Sequence, residues 1–481
     1  MLKPSGKGSV LGIGDFMDDL TARAEALGQG LTAGRGTRTL RLGVTGLSRA
    51  GKTVFITALV ANLLDRGRMP GLRAAAEGRI RAAFLQPQPD DTVPRFDYES
   101  HLAALTGPDP RWPEGTRGIS ELRLSLRVAP SGLLAALGGE RRVNLDIVDY
   151  PGEWLLDLGL MDKDFATWSA EVLARTATRA EAAGYRAALD AFDPAAPFAE
   201  PPAKDLARHY AQYLAAAKAA GYSDCAPGRF LLPGELEGSP VLTFAPLPRP
   251  DAAPRGSMWH EMSRRFEAYK AKVVRPFFRD HFVRIDRQIV LVDVLGAIHA
   301  GPRAVEDMRA AMEAVLRAFR PGRPGWLAAL TGGRRVERIL FAATKADHLH
   351  HTQHARLVRF LSGLLRTARD RADFAGADTA AMAIAALRAT IEESHQRGGE
   401  TVDCVRGRLL ANGREAALFP GELPESPAAM LAQAHGGADR WLDADYDVMA
   451  FAPARLTLRD GEGPPHIRLD RAAEFLIGDL L

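Results

Sequence analysis

Cysteine is almost missing from this chain: 481 residues hold two, Cys225 and Cys404, and no C-x-x-C pair. A disulfide framework therefore has no support, and a reducing cytosol fits best. Long apolar runs are missing too. No stretch of about 18 or more apolar residues occurs, so no transmembrane segment is expected. Near the N-terminus Lys3 and Lys7 have no apolar core behind them, which argues against a signal peptide. An excess of one charge is also lacking, with 62 Lys and Arg against 59 Asp and Glu. Without a global basic field, nucleic acid is not expected as a partner. Arg is abundant, but it is interleaved with Ala, Leu and Glu as on solvated helix faces.

What is present is material for a large core, with 46% hydrophobic and 25% charged residues. The length suits roughly three domain-sized masses, or one large domain with insertions. Residues 15–27 read as a short amphipathic helix. Its four acids favour docking on the protein's own body over a membrane surface.

One octapeptide carries the most chemistry: Gly46-Leu47-Ser48-Arg49-Ala50-Gly51-Lys52-Thr53 matches G-x-x-x-x-G-K-[ST] in full. It follows the strand-like run 39–45 and precedes a helical pattern at Val54, Ile56, Leu59, Val60 and Leu63. Strand, glycine turn and helix in that order make a phosphate cradle. The backbone N–H groups from Gly46 through Ser48, Arg49, Ala50 and Gly51 to Val54 can turn toward phosphate oxygens. Lys52 supplies a cation and the Thr53 hydroxyl a ligand for Mg²⁺. A nucleoside triphosphate is the ligand class.

The order of later motifs selects among P-loop proteins. Thr116 lies on a loop before the alternating strand 121–128, where a switch GTPase places its sensor of γ-phosphate and Mg²⁺; Ser120 is the second choice. The strand 143–149 ends in Asp149-Tyr150-Pro151-Gly152, with Asp149 as a further metal ligand and Gly152 as a γ-phosphate contact. Glu153 follows, where many small GTPases carry a water-orienting Gln, and Arg49 lies within the loop as a cation in cis; for both, the alternative is a surface ion pair. Asp293 ends a later strand and reads as a structural turn near the site. After the strand 338–343 comes Thr344-Lys345-Ala346-Asp347, an [NT]-K-x-D motif. The Asp347 carboxylate can accept from guanine N1–H and N2–H₂, a donor pair that adenine lacks, while the Lys345 stem packs over the base. A sixth strand at 381–387 leads to Arg388 and Ala389, expected to close over the base. His348, His350, His351 and His354 read as a solvated helix start, because no carboxylate or Cys nearby in the sequence completes a metal set.

Between Asp149 and the strand at Gln288 the chain is far longer than one crossover helix needs. Helical spacing at 160–190, 204–220 and 258–274, broken by Pro-rich hinges, reads as an inserted all-helical domain directly after the switch segment. The expected fold class is α/β: a P-loop NTPase of GTPase-like order, with a mostly parallel sheet, helices on both faces and that insertion. The expected division is an N-terminal helical extension (1–38), the P-loop domain in two parts (39–154 and 287–400), the inserted helical domain (155–286), and a C-terminal segment (401–481) packing on the GTPase domain.

Taken in order, the segments 43–60, 116–126, 145–158, 290–301, 343–349 and 466–479 resemble the YcjX-like family of bacterial P-loop GTP-binding proteins. The resemblance implies a GTPase using GTP, GDP and Mg²⁺. It further implies a cytoplasmic protein able to sit peripherally at the inner membrane, linked to stress responses, with a YcjF-type membrane protein as a partner. An ATPase of the same fold and a non-catalytic GTP-binding scaffold stay open as alternatives. A small-molecule kinase is disfavoured by the motif order. The oligomeric state is not legible.

Overall fold

The computed structural model describes residues 37–47, 49–115, 118–130, 139–281, 284–317, 336–374, 376–397, 399–442, 446 and 448–481. The stretch 15–27, Ser48 and Thr116 lie outside the described residues.

Seven strands make the central sheet: β1 (Thr37–Gly46), β2 (Ile80–Gln86), β3 (Ser120–Val128), β4 (Arg141–Asp149), β5 (Arg287–Val292), β6 (Arg338–Ala343) and β7 (Asp378–Ala383). Their order is β2-β3-β4-β1-β5-β6-β7. From β4 to β7 neighbours run parallel; β3 is antiparallel to β4, and β2 to β3. The parallel strands are nearly continuous apolar runs because both faces are covered. Val148, Val290 and Phe341 point into one core, whereas Ile147, Leu291 and Leu340 point into the opposite one. The second core is closed by the helix Lys52–Leu64 and by the C-terminal helix Leu469–Ile477. This is the α/β P-loop arrangement expected from the motif order.

Two strand readings need correction. The stretch between the first helix and Thr116, for which the sequence shows no strand, contains the edge strand β2. Its alanines and a bulge between Ile80 and Ala82 blur the alternation that marks a strand. The strand read at 381–387 is β7, which begins at Asp378 and ends at Ala383, earlier than that run at both ends. Beyond it the backbone turns away, and Ala385 pairs with Ile467.

Between β4 and β5 no strand occurs among the described residues. The main helices are Phe165–Thr176, Ala183–Asp190, Glu200–Ala219 and Met258–Tyr269, the last continued as a wider π-helical turn over Lys270–Val274. Asp164 and Ser257 cap two of them by accepting from backbone N–H groups of the first turn. An aromatic nucleus holds them, with Trp168 stacked on Phe266 at 4.9 Å between ring centres. This nucleus is continuous with the sheet core through Trp154, Phe277 and Phe278. The insertion therefore shares one core with the nucleotide side of the molecule.

A second, antiparallel sheet of three strands follows β7: β8 (Thr390–Arg397), β9 (Glu400–Arg408) and β10 (Glu415–Leu418), in the order β10-β9-β8. Ala389, Val405, Leu418 and Phe451 form its small core.

Candidate functional site

The site collects at the C-terminal ends of β1, β4, β5 and β6. Parallel register places Val44 beside Asp149 and Gly46 beside Leu291, so the loops after these strands emerge together. A Cβ on Gly46 would lie 2.7 Å from the Leu291 carbonyl oxygen, so the tight exit from β1 requires glycine. Arg49 (φ 64°) and Gly51 (φ 82°) adopt left-handed backbone around Ala50, whose N–H donates to Leu47 O at 3.1 Å. Such alternation curls the loop into an anion-binding concavity. The helix Lys52–Leu64 starts there with no side-chain cap and no acidic residue in its first turn, which leaves its positive end for an anion. Lys52 Nζ donates to Gly46 O at 3.2 Å, bending back over the loop. Thr53 and Val54 follow on the first helical turn. The observed cradle fits a triphosphate.

Thr53 and Asp149 are buried, the first at the helix start and the second at the end of β4. A hydroxyl and a carboxylate are hard oxygen donors, suited to Mg²⁺ beside phosphate. Ser120 pairs directly with Asp149 across β3 and β4, which puts the start of β3 at this end of the sheet.

Gly152 touches the loop through its backbone. A Cβ there would stand 1.8 Å from Gly46 O, so no other residue fits. Glu153 is not a surface group. It is buried, and Lys218 Nζ from the helix Glu200–Ala219 lies 2.7 Å from its Oε1. Burial pushes the Glu153 carboxyl up, but Lys52 and Lys218 outweigh burial and hold it below the usual range. Gly228 stacks on the other side, where a Cβ would come within 2.0 Å of Glu153 O. A cavity of about 120 Å³ between loop and insertion is lined by Arg49, Glu153, Lys218, Tyr222 and Asp293 among others.

The base end is built from two loops. Thr344 N–H donates to Val292 O at 3.0 Å, and Lys345 takes left-handed backbone (φ 59°) while its ammonium pairs with Asp293. Asp293 also caps the helix Val294–Ala300 by accepting from Gly296 N–H at 3.0 Å, so it combines a turn role with a place beside the site. Buried Asp347 accepts from Ala389 N–H at 2.8 Å, and the Thr390 hydroxyl donates to Asp347 O. Arg388 directs its guanidinium to Thr390 O at 3.1 Å.

Residues 40–481 match the YcjX-like family, DUF463. The chain belongs to the YcjX-like family. It is 39% identical over 459 residues to a protein of Escherichia coli named Ras-like GTPase YcjX, covering 92% of this chain and 96% of that one. A Shewanella oneidensis protein of the same name is 38% identical over 470 residues, covering 92% of this chain and 95% of that one.

In this YcjX-like chain the sequence reading missed Lys218, Gly228 and the link from Lys345 to Asp293. Only Asp293 had a signal, ending the strand that precedes the one leading into T-K-A-D. The histidine run also needs correction. His348, His350 and His354 are buried and only His351 is exposed. His354 Nε2 lies 2.7 Å from Ala346 O, and Arg468 donates to its Nδ1 at 3.0 Å. Arg468 comes from the C-terminal segment, far away in sequence.

Proposed function

We propose that this protein binds GTP with Mg²⁺ and hydrolyses it to GDP and phosphate, acting as a nucleotide-dependent switch. One observation carries the reading: the Lys52 loop, Asp149 and Asp347 emerge from the same end of β1, β4 and β6. The names of the two relatives support the same choice of nucleotide. The loop from Gly46 to Val54 holds the phosphates, with Arg49 at its rim and Lys52 neutralising the β- and γ-phosphates. Asp347 selects guanine, and Thr344, Lys345, Arg388 and Ala389 shape the base pocket. Thr53, Asp149 and Thr116 would hold Mg²⁺, which when bound neutralises phosphate charge in the transition state. Glu153 orients the attacking water, and Gly152 senses the γ-phosphate through its backbone N–H. By resemblance, the protein acts in the cytoplasm or peripherally at the inner membrane, with a YcjF-type membrane protein as partner and a stress response as setting. The division into a two-part GTPase domain, a helical insertion and a C-terminal segment is part of this proposal.

The test is multiple-turnover phosphate release, with GTP and ATP affinities measured in parallel. We expect preference for GTP, turnover that requires Mg²⁺, and loss of binding in Lys52→Ala. Equal affinity for ATP would favour the ATPase alternative, and binding without turnover would favour a scaffold.

A further inference from the structure

The histidine run beyond Asp347 gains from the fold what it lacks in sequence. Glu392 of β8 comes to His350 and His351; among the described residues these three form a group whose ligand atoms all lie within 4.8 Å of one another. His351 Nδ1 is 2.8 Å from Glu392 Oε2, and His350 Nε2 is 3.9 Å from the same oxygen. The His351 backbone N–H also donates to Glu392 Oε1 at 3.1 Å. Ligands about 2.0–2.1 Å from a tetrahedral zinc ion stand roughly 3.3 Å apart. These two separations bracket that value, and the third pair lies within 4.8 Å.

A second set of contacts orients the ligands. His350 Nδ1 lies 3.0 Å from the Thr352 hydroxyl and 3.4 Å from Asp403 Oδ2 of β9, while Ser394 donates to Asp403 Oδ1 at 2.7 Å. A histidine whose second nitrogen faces a carboxylate is the usual outer support of a metal-binding imidazole. It leaves Nε2 facing Glu392. Burial pushes the Glu392 carboxyl up, but the His351 hydrogen bond outweighs burial and keeps it ionised at neutral pH. His350 is buried, whereas His351 is open enough for an ion and a water to enter.

We propose that His350 Nε2, His351 Nδ1 and the Glu392 carboxylate form a Zn²⁺-class transition-metal site with a fourth position for water. Two imidazoles and one carboxylate suit a borderline cation better than Mg²⁺. An ion on Nδ1 leaves the single proton of the neutral His351 imidazole on Nε2, and protons compete with the ion for both imidazoles, so binding weakens as pH falls. The site is distinct from the phosphate loop. It clips β8 to the loop that carries Asp347, because Ala389 and Thr390 of the same segment already contact Asp347.

The test uses untagged, chelator-stripped full-length protein titrated with Zn²⁺ against a chromophoric competitor, in millimolar Mg²⁺ to keep oxygen-donor sites filled. One equivalent with micromolar or tighter affinity is expected, and His351→Ala and Glu392→Gln should each weaken it at least tenfold. Exposed His351 makes its variant the safe one for folding, and thermal melting without metal checks both. Removing Zn²⁺ should lower the melting temperature of the parent protein and leave both variants unmoved. Affinity weaker than millimolar, or equal affinity in parent and variants, overturns the site. Neither readout involves nucleotide, so failure of this site and failure of the GTPase reading are separable.

Discussion

At the scale of single residues, charge placement decides most of the chemistry. Asp347 is fixed from behind by Ala389 N–H, so its carboxylate is oriented before any base arrives. Asp347→Asn keeps the shape but loses the charge-assisted acceptor pair, which should cost on the order of 2–4 kcal/mol of GTP binding. The new amide can donate to the C2 carbonyl of xanthine, so XTP should bind the variant better than GTP does. Unchanged affinities for both would remove Asp347 as the base reader. Glu153 is the more delicate case, because it lies near Lys52 and directly on Lys218. Glu153→Gln should slow single-turnover hydrolysis by roughly 10²-fold with GTP affinity within a few-fold of the parent, as expected for a group whose basicity matters mainly in the transition state. An unchanged rate would leave Glu153 a link to the insertion and nothing more. The residues that make the cradle were legible because each obeys a local rule: glycine for a forbidden backbone, lysine and threonine opening a helix, aspartate ending a strand. Lys218 was not, because a lysine on an Ala-rich helix has the same local pattern whether it faces water or Glu153.

Elements show where local patterns fail. β4 and β6 are strong apolar runs and were readable, whereas β2 relies on pairing with β3 to exist as a strand. Glu392 looks like one polar residue in an alternating strand, and only the fold of β8 onto the 347–354 loop makes it a neighbour of two histidines. The short 3₁₀ segment Leu156–Leu160, after the helix Gly152–Leu155, carries a similar hidden contact. Asp157 accepts from Gly228 N–H at 2.7 Å and from the Tyr269 hydroxyl at 2.5 Å, joining the segment after Gly152 to two parts of the insertion. Burial pushes its carboxyl up from 3.8 to about 7, only partly opposed by the Tyr269 hydrogen bond. A raised carboxyl favours the folded state fully below the unfolded value, and the advantage disappears as pH rises through about 7. Asp157→Asn does not titrate. Between pH 4 and pH 8 its stability should therefore gain on the parent, by up to roughly 4 kcal/mol if the whole shift is realised. Urea unfolding of both proteins at several pH values measures this. A difference that stays flat with pH would mean the Asp157 carboxyl is not held near 7.

For the whole molecule, the question is how far a signal at Gly152 can travel. The insertion and the sheet share one core, with Leu156, Leu158, Phe278, Val305 and Met308 along the seam. Fully exposing one such side chain costs about 1.5–3 kcal/mol, so parting five of them would cost on the order of 10 kcal/mol. A γ-phosphate contact that shifts a two-state balance from 1:99 to 99:1 supplies about 5.5 kcal/mol. A wholesale swing of the insertion is therefore too costly, and a local repacking is within reach. The layer that can repack is Glu153 and Trp154 against Lys218, Arg229 and Phe277. The Arg229 guanidinium lies 3.2 Å from the centre of the Trp154 ring, and the indole N–H donates to Leu232 O at 3.1 Å. Movement of Gly152 relative to Gly46 O has to pass through this layer, because Gly228 leaves no gap behind Glu153. Hydrogen exchange with GDP and with a non-hydrolysable GTP analogue should show protection changes at 150–160, 218–232 and 269–281. The interiors of the helices Phe165–Thr176 and Met258–Tyr269 should stay the same in both states. A partner that grips the changing layer would then bind in a nucleotide-dependent way, and by linkage it would alter GTP affinity by the same factor. Changes confined to the phosphate loop and residues 112–120 would make the insertion passive packing, whereas changes throughout 165–269 would mean the shared core opens after all.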